Sequence, residues 1–185
     1  MPNNQMWFTS LKIYPMKIKQ LRARLLVFLA HEVGLPYFKL IRKQISFPYT
    51  DADLENMPES TVGHQLHRFF KQHSLGLLPY YERHDIKHVL LGYPPTEEGE
   101  VCLQTFMLAN GRITFPVMVA VAYGWLTMPE FHTSFKAAWN KGRNNIPLKD
   151  VNWVSLIPHE LQEIQQLLIT EKQNHFSLNN EANSQ

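Results

Sequence analysis

Proline and glycine interrupt this chain at short intervals: Gly34 and Pro36, Pro48, Pro58, Pro79, Gly92 with Pro94 and Pro95, Gly111, Pro129 and Gly142. Proline lacks a backbone donor and clashes with the preceding helical turn, while glycine favours the left-handed stop after a helix, so no regular element can run far. Between the breaks, apolar residues recur at helical spacing. Leu21, Leu25, Leu26, Phe28 and Leu29 form one stripe, with Lys17, Lys19, Arg22 and Arg24 on the other positions. Phe38, Leu40 and Ile41 form a second, and Val62, Leu66, Phe69 and Phe70, after Pro58, a third. Alternating apolar–polar runs bounded by hairpin turns are missing. The expected fold is all-α: a single-domain bundle of about seven to nine short helices over residues 1–170, followed by a disordered polar tail at 171–185.

The middle of the chain is more specific. Pro79 stands where a first-turn proline is tolerated and opens a helix through Tyr80, His84 and His88 to Leu91. Thr96 reads as an N-cap, with Glu97 and Glu98 at the positive end of the next helix, which ends at Asn110-Gly111. Phe115 to Trp125 is apolar on nearly every side and is expected to be the central, most buried helix. Thr127 and Glu130 have capping-box spacing and start a helix through Phe131, Phe135 and Trp139 that Gly142 stops. Leu161, Ile164, Leu167 and Leu168 mark a last amphipathic helix.

Composition excludes some functions. A formal net charge of +2, with no basic run and no glycine-rich loop, argues against nucleic acid. Cys102 is the only cysteine, so no intrachain disulfide can form. Met1 to Ser10 lacks the layout of a secretory signal, and no apolar stretch approaches the roughly 20 residues that cross a bilayer. The expected location is cytoplasmic, at most peripheral on the inner membrane surface. The basic and apolar stretch from Lys17 to Leu29 is the candidate lipid contact, with a plain surface helix as the commoner alternative.

The chemistry concentrates at His84-Asp85-Ile86-Lys87-His88 and Glu100. At about 100° per residue, His84, Asp85 and His88 share one sector of a helix, Asp85 at its edge, and Lys87 points elsewhere. His88 lies about a turn before the break at Gly92, and Glu100 about a turn after Thr96. In a short-loop helical hairpin, residues equidistant from the loop face each other, so Glu100 should close the site from the opposite helix. Two imidazoles with carboxylates suit a divalent metal; the nitrogens favour zinc, while iron, cobalt or manganese also fit. Without an ion, burying such groups is costly unless they pair with one another. His64 and His67 are a weaker pair with no carboxylate expected in reach. Cys102 should face away from the site.

With these residues in view, the chain resembles the coenzyme Q biosynthesis protein 4 family. His84, Asp85, His88 and Glu100 match its His-Asp-x-x-His-x11-Glu pattern without a gap. Pro58 to Phe70 is similar to its Pro-x-x-Thr-x-Gly segment, Gly99-Glu100-Val101 to its Gly-Glu-aliphatic step, and Phe115 to Met118 to its Leu-Pro-Met helix start. Ala138 to Leu148 and Val151-Asn152-Trp153 resemble its C-terminal glycine and tryptophan region. The likeness spans roughly residues 57 to 168. Where the family commonly carries Lys-x-x-Glu after the Gly-Glu step, this chain has Gln104 and Met107.

The resemblance implies a metal-dependent protein of ubiquinone or prenylquinone biosynthesis that binds an isoprenoid tail and acts in decarboxylation and hydroxylation at C1 of a prenylated hydroxybenzoate. It also implies peripheral membrane contact and association with other quinone-biosynthesis enzymes; a homodimer is compatible with it. Tyr80, Tyr81 and Arg83 are candidate head-group contacts, with core packing or an exposed helix position as the plainer reading of each. A non-catalytic prenyl-lipid scaffold is the alternative. A metallohydrolase, from the likeness to His-Glu-x-x-His, ranks last because Asp85 is shorter and Glu100 arrives early for a third ligand.

Overall fold

A capping box opens the described part of the chain. In the computed structural model, which describes residues 47–168 together with Arg22, Asp53 N donates to Thr50 Oγ1 at 3.2 Å while Thr50 N donates to Asp53 Oδ2 at 2.7 Å. This closes a one-turn helix, α1 (Asp51–Glu55). It was not expected from the sequence, because five residues are too few to show apolar period. Thr61 then caps α2 (Val62–His73) by accepting from His64 N. The first amides of α2 donate to a distant segment: Val62 N to His159 O and Gly63 N to Ile157 O, both at 2.9 Å. That supplies the acceptors a helix start lacks and ties residues 157–161 to α2.

Next come α3 (Glu82–Leu91) and α4 (Glu97–Ala109) as a helical hairpin. Gly92 ends α3 at φ +74°, and Thr96 caps α4 by accepting from Gly99 N at 3.1 Å. Both termini agree with the sequence reading. The start of α3 does not: Tyr80 has φ +75°, which no helix accepts, so the helix begins after it rather than at Pro79. Helices α5 (Phe115–Thr127) and α6 (His132–Asn144), a 3-10 turn at Pro129–Phe131 between them, a second 3-10 turn at Trp153–Leu156 and helical residues 161–168 (α7) complete the described residues. Seven α-helices and no strand make this an all-α fold among the described residues. They lie within one compact unit. Apart from Arg22, which is helical, the helices expected near Leu21–Leu29 and Phe38–Ile41, the polar tail at 171–185, and so the full extent of a 1–170 domain lie outside the described residues.

The central helix is α4, not the 115–125 segment. Val101, Leu103, Thr105 and Phe106 of α4 are fully buried. Helix α5 buries only Val117, Val121 and Gly124, and leaves Phe115, Met118 and Leu126 exposed, Leu126 at 83%. An absence of charge shows that a helix tolerates apolar surroundings; it does not show that protein surrounds it on all sides. Two glycines bring neighbours close to α4. A Cβ at Gly124 would overlap the Val101 side chain, and one at Gly142 would overlap the Phe106 carbonyl oxygen. Gly142 is therefore an interior packing residue of α6, not its stop; the helix runs on to Asn144. Thr127 does not cap α6 either: its hydroxyl donates back to Tyr123 O at 2.7 Å, and the 3-10 turn makes the junction.

At the far ends of α4 and α6, Asn110 acts as a node. Its Nδ2 donates to Gly142 O and Ile146 O at 3.1 and 2.8 Å, and its Oδ1 accepts from Leu148 N at 2.8 Å.

Candidate metal centre

Helix α3 presents His84 and His88 one turn apart, and α4 presents Glu100 across the hairpin. The Nε2 atoms of the two imidazoles are 3.0 Å apart. Glu100 Oε1 is 3.0 Å from His88 Nε2, and Glu100 Oε2 is 3.1 Å from His84 Nε2. One donor atom from each of the three residues lies within 4.8 Å of the others. Ligands about 2.0–2.1 Å from a tetrahedral ion stand roughly 3.3 Å from one another. The donor chemistry and spacing therefore fit a divalent cation.

The imidazole of His88 is 2% exposed and held on three sides. Its Nδ1 is 2.8 Å from Tyr93 O. A carbonyl only accepts, so Nδ1 carries a proton; Nε2 faces the Glu100 carboxylate and would offer its lone pair only once a bound ion displaced its proton. Burial pulls the His88 pKa down, but the hydrogen bond and charge of Glu100, the Tyr93 carbonyl and Asp85 outweigh it, and the net direction is up. Burial likewise pushes Glu100 up; the charge and hydrogen bonds of His84 and His88 overcome this and hold the carboxyl well below the usual range. The cluster pairs with itself, as groups buried without an ion must.

Three of the four expected ligands thus converge. Asp85 is not among the converging donors. It is close enough to feel them: burial lifts its carboxyl to about 7, with His88 opposing and Glu100 and Glu82 adding to the rise. Tyr81 precedes α3, half-buried, with its ring edge-on to His84 at 6.2 Å. Burial, then the charges of Glu100 and Asp85, raise its phenol. Tyr80 is half-buried, and Arg83 is exposed on α3. Lys87 points away from the donors as expected, but it is buried, with Nζ 5.1 Å from the centre of the Trp153 ring.

Cys102 is buried, and desolvation followed by Glu98 pushes its thiol up to about 11, so it is inert. His67 corrects an expectation. It is buried, with Nδ1 2.9 Å from Asp51 Oδ1 and Nε2 3.7 Å from Glu55 Oε1, because α1 folds its carboxylates back onto α2. Sequence reasoning also missed Phe69 and Tyr93. Phe69 is far from His88 in sequence, and Tyr93 contributes a carbonyl, which any residue type carries.

Comparison with protein families matches residues 77–174, just over half of the chain, to Coenzyme Q (ubiquinone) biosynthesis protein Coq4. Among solved structures, the fold is similar to a crystal structure from Nostoc punctiforme PCC 73102 of a protein provisionally assigned to ubiquinone biosynthesis. Identity is 25%, the TM-score is 0.56, and the match covers 82% of this chain and 80% of that one. Comparison with curated proteins gives no match. The matched span contains both helices of the hairpin and all three converging donors, and the chain belongs to the coenzyme Q (ubiquinone) biosynthesis protein Coq4 family.

Proposed function

We propose that this member of a ubiquinone-biosynthesis family holds a divalent ion between His84, His88 and Glu100, with Asp85 beside them, and acts in C1 decarboxylation and hydroxylation of a prenylated hydroxybenzoate. The observation that carries the reading is the convergence of two imidazoles and a carboxylate from two helices of one hairpin. Zinc suits the nitrogen donors; iron, cobalt or manganese suits a step that involves oxygen. A Lewis-acidic ion bound there would stabilise negative charge as the carboxyl group leaves.

The chain's own residues do the rest. His88 is fixed by the Tyr93 carbonyl and offers Nε2. Glu100 would supply negative charge to balance a bound ion. Tyr81, edge-on to His84, is placed to contact an aromatic head group, and Arg83 is an exposed cation on the same helix. The outward stripe Phe115, Met118, Ala122 and Leu126 of α5 offers apolar surface for an isoprenoid tail or for peripheral membrane contact. No helix among the described residues is long and apolar enough to cross a membrane.

Protein loaded with Co(II) or Mn(II), incubated with a prenylated hydroxybenzoate and oxygen, should yield product lacking the carboxyl group. His88→Ala should lose both stoichiometric metal and turnover while keeping its helical circular dichroism. Metal retained in a His88→Ala, Glu100→Ala double variant would reject the centre. The same α5 stripe supports a second reading, a non-catalytic prenyl-lipid scaffold for the other quinone-biosynthesis enzymes. Tight binding of the prenylated acid without turnover would favour it.

A further inference from the structure

The His88 ring has a fourth neighbour beyond the donors and the Tyr93 carbonyl. The phenyl ring of Phe69, on α2, lies against its face, with centroids 5.7 Å apart and planes inclined by 21°. Phe69 is itself enclosed: His73 packs at 5.0 Å and Phe70 at 6.1 Å between centroids, and only 9% of the residue is exposed. An imidazole has one free torsion about its Cβ–Cγ bond, and for aromatic rings that torsion is broad. The Tyr93 carbonyl fixes one edge of the ring. A flat neighbour against the face restricts the same rotation by steric contact.

We infer that Phe69 is a positioning residue of the metal centre. Its ring and the Tyr93 carbonyl together keep His88 Nε2 aimed at the point where the lone pairs of His84 and Glu100 meet. The inference rests on the metal-binding reading above and adds to it a dependence on α2, which contributes no ligand. It separates Phe69 from an ordinary core aromatic. A core aromatic affects stability alone, whereas outer groups that orient a metal-binding histidine typically change metal affinity by about 10–100-fold.

The test uses the full chain, stripped with chelator and titrated with Co(II) while the visible absorption of the bound ion is followed. Phe69→Leu keeps apolar bulk but loses the flat face; it should weaken Co(II) binding about tenfold or more and alter the visible bands. Phe69→Tyr should restore wild-type affinity and spectrum. Phe135→Leu, a fully buried aromatic packed with Trp125, Phe131 and His132, controls for stability. It should lower the melting temperature and leave Co(II) binding unchanged.

Phe69→Leu binding Co(II) as tightly as wild type with unchanged bands would overturn the inference, as would equal weakening by Phe135→Leu. If Phe69→Leu fails to fold, nitrogen-15 correlation spectra of metal-free wild type still decide. They should show His88 protonated at Nδ1 with a single ring environment, and the opposite tautomer or averaged signals would reject the positioning role. Wild type that binds Co(II) no better than His88→Ala would sink the metal reading itself, and this inference with it. Binding through His88 that ignores Phe69 sinks only the inference.

Discussion

Asp85 offers a stability measurement whose sign is set by the geometry of the centre. Its carboxyl moves from 3.8 to about 7, raised by burial, lowered by His88 and raised again by Glu100 and Glu82. A carboxyl raised on folding behaves opposite to a salt-bridged one. The metal-free fold has its full stability from this group below pH 3.8, loses it progressively as the pH climbs toward 7, and is flat above. At about 1.4 kcal/mol per pH unit, the loss is at most about 4 kcal/mol. Water reaching a partly exposed carboxyl reduces that to about 2–3 kcal/mol. Asp85→Asn keeps the shape and removes the charge. It should therefore be more stable than wild type by about 2–3 kcal/mol at pH 8 and nearly equal to it at pH 3.5, measured by urea titration with chelator present. In melting temperature this is on the order of 10 °C. No gain at pH 8, or the same gain at both pH values, would refute the burial of the Asp85 carboxyl, which with the smaller repulsion of Glu100 and Glu82 raises it.

Saturating divalent metal should reverse the order. An ion between His84, His88 and Glu100 attracts the Asp85 carboxylate, so wild type should gain more from added metal than Asp85→Asn does. A charge that costs the empty fold and favours the occupied one acts in binding. A reversal that fails to appear would leave Asp85 as a bystander beside a three-residue site.

Two further outcomes test the scaffold. Gly142→Ala replaces glycine in a helix, where alanine ordinarily gains about 1 kcal/mol; here the methyl group meets the Phe106 carbonyl, so urea unfolding should show a loss of about 1–3 kcal/mol. Asn110→Ala leaves the Leu148 amide and the Ile146 carbonyl without their side-chain partner and should cost about 2–4 kcal/mol, with Asn110→Asp intermediate because it still accepts from Leu148.

The convergence of His84, His88 and Glu100 was legible in the sequence because its parts are local. An i,i+4 histidine pair, a glycine stop, a threonine cap and a glutamate one turn later define a hairpin with few alternatives. Helix α4 was equally legible at both ends, where Thr96 and Asn110 stand. What could not be read depends on tertiary approach. The outward face of α5 is apolar, and hydropathy alone does not say whether protein covers it. Gly142 carries the same letter whether it stops a helix or lets another backbone approach. The carboxylates that reach His67 come from α1, whose Thr50–Asp53 signature was present in a stretch too short for periodicity. Asp85 follows the family pattern by position, yet its carboxylate is not among the converging donors.

The two ends of the hairpin are held in different ways. At the loop end, three of the last four carbonyls of α3 have named partners: His88 O accepts from the Gly92 and Tyr93 amides, Leu90 O from Gln165 Nε2, and Leu91 O from Lys141 Nζ. Helices α6 and α7 thus clamp the turn that sets the separation of His88 and Glu100. At the opposite end, α3 begins without a side-chain cap after Tyr80, whose φ of +75° costs about 1–2 kcal/mol for a residue with a Cβ. Strain of this kind persists only where the surrounding structure holds it. Here it delivers Tyr81 edge-on to His84. The clamped end fixes the separation of the donors, and the left-handed Tyr80 sets the backbone path that brings the Tyr81 ring beside His84.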